Sequence, residues 1–346
     1  MVSRFFDKIK VRYYQKNISS KMNHKKYDNI NISTSLIYNL MIYAARLCSW
    51  NSYSKIWNKL WGFFCNLFAS EVTTRIHGRW VKVNFGYPYP LIARQYYFFN
   101  NPLIELVYQL YSEEKRRIVI IDAGAGIGDT VLLVEANCPG MVKEYYCIEG
   151  DREFFLYLQK NMREFANVKL FNFLLSSSCQ KENLLLRTHK GTSSSLGNNK
   201  TMAVTLDSII STINTDHLDL IKIDVDGFDG KVLLGAKEIL RIDAPAVIFE
   251  WHPILCKQTG NNWLDHFKVL DEVGYSRYVW FNKLGEFSHF MESFDIKGIN
   301  RLAEFCLNNS VLYDWHYDVI ALHNNSPVSP LKLAESSYAI KRKSRY

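Results

Sequence analysis

A glycine-rich turn directly after a buried strand constrains this chain more than any other feature. The stretch 116–129, RRIVIIDAGAGIGD, begins with a β-branched run at 118–121 that is typical of a strand buried on both faces of a parallel sheet. Asp122 follows at the carboxyl end of the run, and three glycines then alternate with larger residues: Gly124, Gly126 and Gly128. Glycine permits a tight turn and lets backbone N–H groups approach a ligand closely. The apolar segment 130–136 predicts a helix whose positive end faces that ligand.

A second predicted strand supports a nucleoside cofactor at this turn. It covers 142–148, and Glu149 stands at its end, 27 residues after Asp122. An acidic residue at about this distance is suited to bond the ribose hydroxyls of a nucleoside. The spacing G-x-G-x-G differs from the nicotinamide pattern G-x-G-x-x-G and resembles the S-adenosylmethionine turn of class I methyltransferases. A glycine-rich loop that binds nothing is the alternative interpretation.

Strands and helices alternate over about 200 residues after the turn begins, which predicts an α/β fold with a doubly wound, mostly parallel sheet. Seven strands are predicted in that sheet, at 118–121, 142–148, 168–175, 218–223, 246–249, 275–281 and 318–322. A β-hairpin is predicted at 73–89, with its turn at 77–79. We expect three parts: a basic helical extension at 1–70, the catalytic domain at 71–325 and a basic tail at 326–346.

Positive charge is concentrated at the amino terminus. Residues 1–60 carry eleven Lys or Arg against two Asp, a net charge of +9, so the remaining chain sums to −1. The predicted catalytic part is therefore not basic, and we expect no nucleic-acid partner. Within residues 35–70, two apolar sets near helical spacing predict amphipathic helices that pack on the domain or on a second subunit. A peripheral anchor at a membrane surface is the alternative for the same segment.

The seven cysteines are scattered, odd in number and without a C-x-x-C pair, which argues against a zinc site or a disulfide framework. A reducing compartment is the simplest interpretation. The first 30 residues lack the apolar core of a secretory signal, and no run of eighteen apolar residues predicts a spanning helix. We expect a cytoplasmic protein, with the inner membrane surface as the alternative location.

A second polar group follows two later strands. Lys222, Asp224 and Asp226 lie in IKIDVDGFD at 221–229, and Glu250 and His252 lie in FEWHP. Ligands bind at the carboxyl ends of strands in open α/β sheets, so these side chains share an edge with the glycine turn. Three roles stay open. Asp224 or His252 removes the proton of an attacking hydroxyl; Asp224, Glu250 and His252 hold a divalent ion; or Lys222 pairs with Asp226 or Glu250 as a structural contact.

Four stretches taken together resemble the FkbM family of S-adenosylmethionine-dependent methyltransferases: VIIDAGAGIGD, CIEGD, TLDSII and LDLIKIDVDGFDGKVLLGAKEIL. The resemblance covers roughly 73–322 and implies a class I, Rossmann-like methyltransferase fold. It implies S-adenosylmethionine as the cofactor and a hydroxyl of a sugar or natural product as the acceptor. By similarity the cofactor turn is Asp122, Gly124, Gly126 and Gly128, and Glu149 takes the ribose. We also expect Asp151 in the cofactor site, and the position of Lys222, Asp224 and His252 at the strand ends places them in the reaction centre. Asp226 departs from the family, which has glutamate there, and residues 1–70 have no counterpart.

Two other functions compete with the O-methyltransferase. One is a catalytically silent scaffold that keeps the fold and binds a partner or a membrane. The other is a nicotinamide-dependent oxidoreductase, which the glycine spacing disfavours. The identity of the acceptor (glycan, lipid-linked sugar or small metabolite) and the oligomeric state stay open at this stage.

Overall fold

The computed structural model describes most of the chain beyond the basic amino terminus. The described residues are 27–47, 55–68, 70–96, 98–179, 181–183, 186–189, 192–195, 200–213, 215, 217–310 and 313–336. The helices among them are α1 (Tyr27–Leu47), α2 (Lys55–Leu67), α3 (Tyr89–Gln95), α4 (Asn101–Glu114), α5 (Asp129–Asn137), α6 (Arg152–Met162), α7 (Leu206–Ile210), α8 (Asp229–Leu234), α9 (Lys237–Ile242), α10 (Pro253–Thr259), α11 (Asp265–Glu272), α12 (Ile296–Asn308) and α13 (Pro330–Glu335).

The strands are β1 (Glu71–Ile76), β2 (Arg79–Asn84), β3 (Ile118–Ala123), β4 (Val142–Ile148), β5 (Val168–Phe171), β6 (Leu174–Leu175), β7 (Lys181–Asn183), β8 (Leu186–His189), β9 (Thr192–Ser195), β10 (Lys200–Val204), β11 (Leu220–Ile223), β12 (Ala246–Trp251), β13 (Tyr275–Asn282), β14 (Phe287–Met291) and β15 (Tyr317–His323). Small sheets join β1 with β2, β8 with β9, and β10 with β6 and β7.

One large sheet organises the domain. Its strand order is β14-β13-β15-β12-β11-β3-β4-β5. The five strands from β12 to β5 run parallel, whereas β15, β13 and β14 pair antiparallel. The last strand in sequence thus lies between β12 and β13. This topology is the predicted doubly wound, mostly parallel α/β sheet, so the predicted fold class is confirmed. The sheet has one strand more than the predicted seven, because β14 adds to its antiparallel edge.

Burial on both faces explains why β3 begins with four consecutive apolar residues, 118–121. Every residue from Ile118 to Ala123 is buried, and apolar clusters cover both sides of the sheet. A parallel sheet needs this cover because its crossover helices lie on both faces. The carboxyl ends of the parallel strands meet at one edge, and all residues predicted to carry the chemistry lie at that edge or just beyond it.

The amino-terminal helices pack on the hairpin as predicted. The turn between β1 and β2 lies at His77 and Gly78, and the two strands pair antiparallel. Tyr38 of α1 and Trp61 of α2 are buried and form ring contacts with Phe85, which follows β2. No described helix is long and apolar enough to cross a membrane.

Residues after 325 also pack on the domain. Val328 and Leu333 are buried, and α13 contacts α4. Ser329 caps α13 by accepting a hydrogen bond from the backbone N–H of Lys332, and its own N–H donates to Gln109 Oε1 at 3.0 Å. The first eleven residues of the predicted tail, 326–336, therefore continue along the domain, and residues 337–346 lie outside the described residues.

Candidate functional site

The glycine turn joins β3 to the start of α5 and is fastened to the end of β4. The backbone N–H groups of Gly124 and Ala125 donate to the carbonyl of Ile148 at 2.9 and 3.0 Å. Gly124 has φ +85°, and a Cβ there would lie 1.9 Å from the backbone oxygen of Asp224. Only glycine allows the turn to approach the end of β11 so closely. Gly126 also has a positive φ (+52°), but the nearest atom to a Cβ there is Asp129 Oδ1 at 3.7 Å. One side of the turn is thus packed and the other is open.

Glu149 holds the open side of the turn. One carboxylate oxygen accepts from the backbone N–H of Gly126 at 2.8 Å, and the other accepts from the N–H of Asp151 at 2.7 Å. Burial raises the pKa of Glu149 to about 8, although these two hydrogen bonds act in the opposite direction. Asp151 itself caps α6, since its side chain accepts from the N–H groups of Glu153 and Phe154. The residues predicted to hold the cofactor on β3 and β4 therefore come together at one edge.

A largely buried lysine, 17% exposed, joins two strands at the centre of the sheet. Lys222 pairs in register with Asp122, and its Nζ lies 3.4 Å from Asp122 Oδ1 and 3.4 Å from Asp224 Oδ2. Burial alone would lower the pKa of Lys222, but the two carboxylates raise it above its usual range. The predicted structural partners, Asp226 and Glu250, are therefore wrong. Lys222 is instead held by Asp122 on the neighbouring strand β3 and by Asp224, two residues further along its own segment.

Carboxylates crowd the neighbouring part of the edge. Burial and the charge of Asp224 raise the pKa of Asp226 to about 7 and that of Asp229 to about 8. Glu250 and Asp318 face each other in the antiparallel pairing of β12 and β15. Burial and the nearby carboxylates raise the pKa of both, to about 7 for Asp318. Groups that titrate near neutral pH are suited to accept a proton, and such clusters are more common at functional sites than elsewhere.

His252 belongs to a different group of side chains. Its Nδ1 accepts from the backbone N–H of Leu255 at 3.4 Å and so caps α10, while its Nε2 lies 3.1 Å from Asp314 Oδ1. The ring stacks on His316 with centroids 4.6 Å apart. Lys283 Nζ donates to the Asp314 backbone carbonyl at 2.7 Å and lies 3.3 Å from its Oδ2. The contacts of His252 are thus to the loop before β15 rather than to Asp224.

Asp314 is the centre of this group. Burial would raise its pKa, but contacts with His252 and His316 hold it well below its usual range. Among the described residues, His252, Asp314 and His316 have potential ligand atoms within 4.8 Å of one another, as a metal site requires. The set proposed from the sequence also contained Asp224, which is not in this group, and Glu250, whose Oε1 lies 3.4 Å from His316 Nε2. With Nδ1 of His252 accepting the cap hydrogen bond, its Nε2 carries the proton and donates to Asp314. That arrangement leaves no lone pair on Nε2 for an ion.

Sequence reasoning missed four side chains that reach the site. Asp314 and His316 lie in the segment YDWH before the last strand, and Lys283 follows β13. Tyr87, beyond the hairpin, donates from its hydroxyl to Asp129 Oδ1 at 3.0 Å. The polar residues just before the last strand in sequence are the one signal that pointed to Asp314, whereas nothing near Tyr87 indicated a contact with α5.

The arrangement fits S-adenosylmethionine. The turn exposes the side of Gly126 where a Cβ would meet little protein, and the Glu149 carboxylate lies beside it with capacity to accept from ribose hydroxyls. The start of α5 supplies further N–H groups next to the turn. The other predicted cofactor residues, Asp122 and Gly128, lie at the two ends of the same turn.

Comparisons with known proteins agree with this geometry. Residues 110–277 match the family model described as the methyltransferase FkbM domain. No curated protein matches the chain. Solved structures similar to it include methyltransferase FkbM from Methylobacillus flagellatus, at 14% identity and a TM-score of 0.39. That match covers 59% of this chain and 43% of the Methylobacillus chain, which is less than half of its length.

Two further structures are similar at the same level. Precorrin-6y C5,15-methyltransferase from Geobacter metallireducens has 13% identity and a TM-score of 0.34, over 64% of this chain and 87% of that chain. The fibrillarin pre-rRNA processing protein of Methanococcus jannaschii has 12% identity and a TM-score of 0.33, over 61% and 68%. The matched segment 110–277 contains the glycine turn, Glu149, Lys222 and Asp224. The chain therefore carries a methyltransferase FkbM domain, and the family and the S-adenosylmethionine cofactor predicted from the sequence are both confirmed.

Proposed function

We propose that the protein transfers a methyl group to a hydroxyl oxygen of its acceptor. The observation that carries this proposal is the crowding of carboxylates beside the glycine turn. A hydroxyl must lose its proton as it attacks, and an accessible carboxylate at this edge can accept that proton. The backbone of Asp224 touches the turn itself, so the acidic edge lies next to the cofactor residues.

The chain's own residues divide into binding and reacting groups. The turn 124–128 and Glu149 bind the cofactor, which supplies an electrophilic methyl group when bound. Lys222 ties Asp122 to Asp224 across two strands and so fixes the direction of the Asp224 carboxylate. The base that takes the acceptor's proton and the residues that bind the cofactor lie on the same rigid sheet edge. This arrangement aligns the acceptor oxygen with the methyl group, as a direct displacement requires.

Asp224 fits the role of base better than His252. The Asp224 side chain is 52% exposed at the sheet edge, where an acceptor hydroxyl can reach it. The His252 side chain is 7% exposed, and both of its ring nitrogens already contact the protein. We therefore propose Asp224 as the base and His252 as a residue that fixes the loop before β15.

The acceptor class follows from the family resemblance and not from the geometry. We propose a hydroxyl of a glycan or natural product, with residues 71–325 as the methyltransferase domain. No nucleic-acid partner is proposed, because the positive charge of the chain lies within residues 1–60 and not in the part that forms the site. A cytoplasmic location, at or near the inner membrane surface, is proposed with it.

A panel of acceptors and one substitution test the proposal. Purified protein is incubated with S-adenosylmethionine and hydroxyl-, amine- or carboxylate-bearing acceptors, and release of S-adenosylhomocysteine is measured. We expect turnover with a hydroxyl acceptor, and Asp224→Asn is expected to lower it at least about 100-fold, within the usual range for loss of a base. The Kd for S-adenosylhomocysteine should change less than about twofold. Asp271→Asn, an exposed aspartate on α11, is the matched control.

Two results would contradict the proposal. Methyl transfer to amines or carboxylates but never to hydroxyls would remove the O-methyltransferase assignment. Full activity of Asp224→Asn on a hydroxyl acceptor would remove Asp224 as the base, and a larger loss in His252→Gln would give the role to the histidine.

A further inference from the structure

The two amino-terminal helices each present large apolar side chains to solvent. On α1 these are Leu36, Leu40 and Tyr43, and on α2 they are Leu60, Phe63 and Leu67. Each of the six is 38–61% exposed. Within each helix they recur at three- and four-residue spacing, which places them on one face. We call these six residues the apolar stripe. Large exposed apolar side chains grouped on one face of a helix are typical of an interaction site.

The stripe is not the face that holds the helices on the protein. Tyr38, Ile42 and Ala45 of α1 are fully buried, and they lie on the side of the helix opposite Leu36, Leu40 and Tyr43. On α2 the buried residue is Trp61, whose ring contacts Tyr38 and Phe85. The core of the extension is therefore complete without the stripe, whose side chains remain available to a partner.

Charge identifies the partner. Residues 1–26, directly before α1, carry eight Lys or Arg against Asp7, and Lys59 is exposed one turn from Phe63 on α2. An anionic surface complements a basic segment that precedes an apolar helix face in the sequence, and basic clusters next to amphipathic helices attract acidic lipids. A second copy of the chain would instead bring two segments of net charge +9 together, which repel each other. We propose that the apolar stripe and the basic segment dock the enzyme on an anionic lipid surface.

In this docked state the apolar side chains enter the boundary between headgroups and acyl chains, while the lysines and arginines remain at the headgroups. The stripe lies on helices that pack against the hairpin, and Tyr87 beyond the hairpin contacts Asp129 at the cofactor turn. The membrane-bound extension is thus continuous with the catalytic edge. The inference is independent of the acceptor's chemistry, because it depends on residues outside the reaction centre.

Flotation with vesicles tests the proposal on the full chain. We expect binding to phosphatidylcholine vesicles that contain about 30% phosphatidylglycerol, weak binding to phosphatidylcholine alone, and a loss of binding when NaCl rises from about 0.1 to 0.5 M. Leu40→Glu with Phe63→Glu should lower the partition coefficient at least about tenfold. The matched control is Ile242→Glu with Leu331→Glu, which adds the same charge at two exposed apolar residues far from the stripe in sequence.

A second pair of variants separates binding from folding. Leu40→Ala with Phe63→Ala keeps helix propensity and should lower the partition coefficient several-fold, while the thermal midpoint and the Kd for S-adenosylhomocysteine stay unchanged. No binding to anionic vesicles, or equal binding by stripe and control variants, would overturn the proposal. So would a concentration-dependent dimer by light scattering that only the stripe variants lose, since a second copy would then be the partner. Failure of methyl transfer to hydroxyls would leave the vesicle result unaffected.

Discussion

Replacing Gly126 by alanine separates the cost of the backbone conformation from the cost to ligand binding. Gly126 has φ +52°, and Gly140, in the loop between α5 and β4, has φ +74°. An L-residue in this region costs about 1–2 kcal/mol. Alanine also lowers the conformational entropy of the unfolded chain, which offsets about 0.4–1 kcal/mol of that cost. Both Gly126→Ala and Gly140→Ala should therefore lose about 1 kcal/mol of unfolding free energy, which corresponds to roughly 2–4 °C in Tm.

The two variants should differ in ligand affinity. A Cβ at Gly140 meets no atom within 4 Å, and at Gly126 it meets only Asp129 Oδ1 at 3.7 Å, so neither methyl group disturbs the protein. The methyl group at Gly126 points into the side of the turn that we assign to the cofactor. We expect the Kd for S-adenosylhomocysteine, measured by calorimetry, to rise at least tenfold in Gly126→Ala, about 1.4 kcal/mol. Gly140→Ala should stay within twofold of the parent protein.

The comparison has a clear negative outcome. If both variants bind S-adenosylhomocysteine as the parent does, the ligand does not approach Gly126, and the cofactor assignment of the turn is refuted. If Gly126→Ala loses far more stability than Gly140→Ala, the side of the turn at Gly126 is packed in solution. That result would contradict the open space that the structure shows beside Gly126.

Three further substitutions test the sheet: Glu149 and Gly124 lie at the edge of the glycine turn, and Arg116 lies at the opposite edge, before β3. Glu149→Gln should weaken binding of S-adenosylhomocysteine about tenfold or more, and the parent's affinity should rise as pH passes through about 8, because the ionised carboxylate is the better acceptor for ribose hydroxyls. The variant should lack this rise. The same ionisation should lower the parent's unfolding free energy between pH 4.5 and about 8, because the folded state keeps a proton that the unfolded chain releases near its ordinary pKa of 4.5. Arg116→Met should cost about 2 kcal/mol by chemical denaturation, because it removes a two-point contact at 2.5 and 2.9 Å from the buried carboxylate of Asp219. The exposed neighbour provides the control, and Arg117→Met should cost less than about 0.5 kcal/mol. Gly124→Ala should cost more than about 3 kcal/mol by the same method, since its Cβ would lie 1.9 Å from a backbone oxygen beyond β11; a cost equal to that of Gly140→Ala would show that the turn does not pack there.

The cofactor edge could be predicted from the sequence because local rules determine it. A β-branched run, alternating glycines and an acidic residue after the next strand each report the end of a parallel strand. Parallel strands that follow one another in an α/β unit lie side by side, so Gly126 and Glu149 had to meet. The same reasoning placed Asp224 at this edge, and the closeness of its backbone to Gly124 agrees with it.

The group around His252 could not be predicted in the same way. Its partner Asp314 comes from the loop before β15, and β15 enters the sheet between β12 and β13. The position of β15 in the sheet depends on long-range packing, which local periodicity and residue spacing do not report. For the same reason the partners expected for Lys222 were wrong. Only the register of β3 with β11 places Lys222 opposite Asp122, whereas the sequence suggested Asp226 in the same segment or Glu250 in the next strand.

Asp226 shows how a departure from the family pattern follows from the local backbone. The residue has φ +52°, in the left-handed region that aspartate and asparagine enter several-fold more often than other side chains. The following Gly227 also has a positive φ, and its Cβ would lie 2.8 Å from the backbone of Leu255 in α10. The turn after β11 must therefore hold two successive left-handed residues while α10 packs against it. An aspartate meets the backbone requirement with a short side chain and still contributes a carboxylate to the edge, so the replacement of glutamate preserves the charge of the site while shortening its reach.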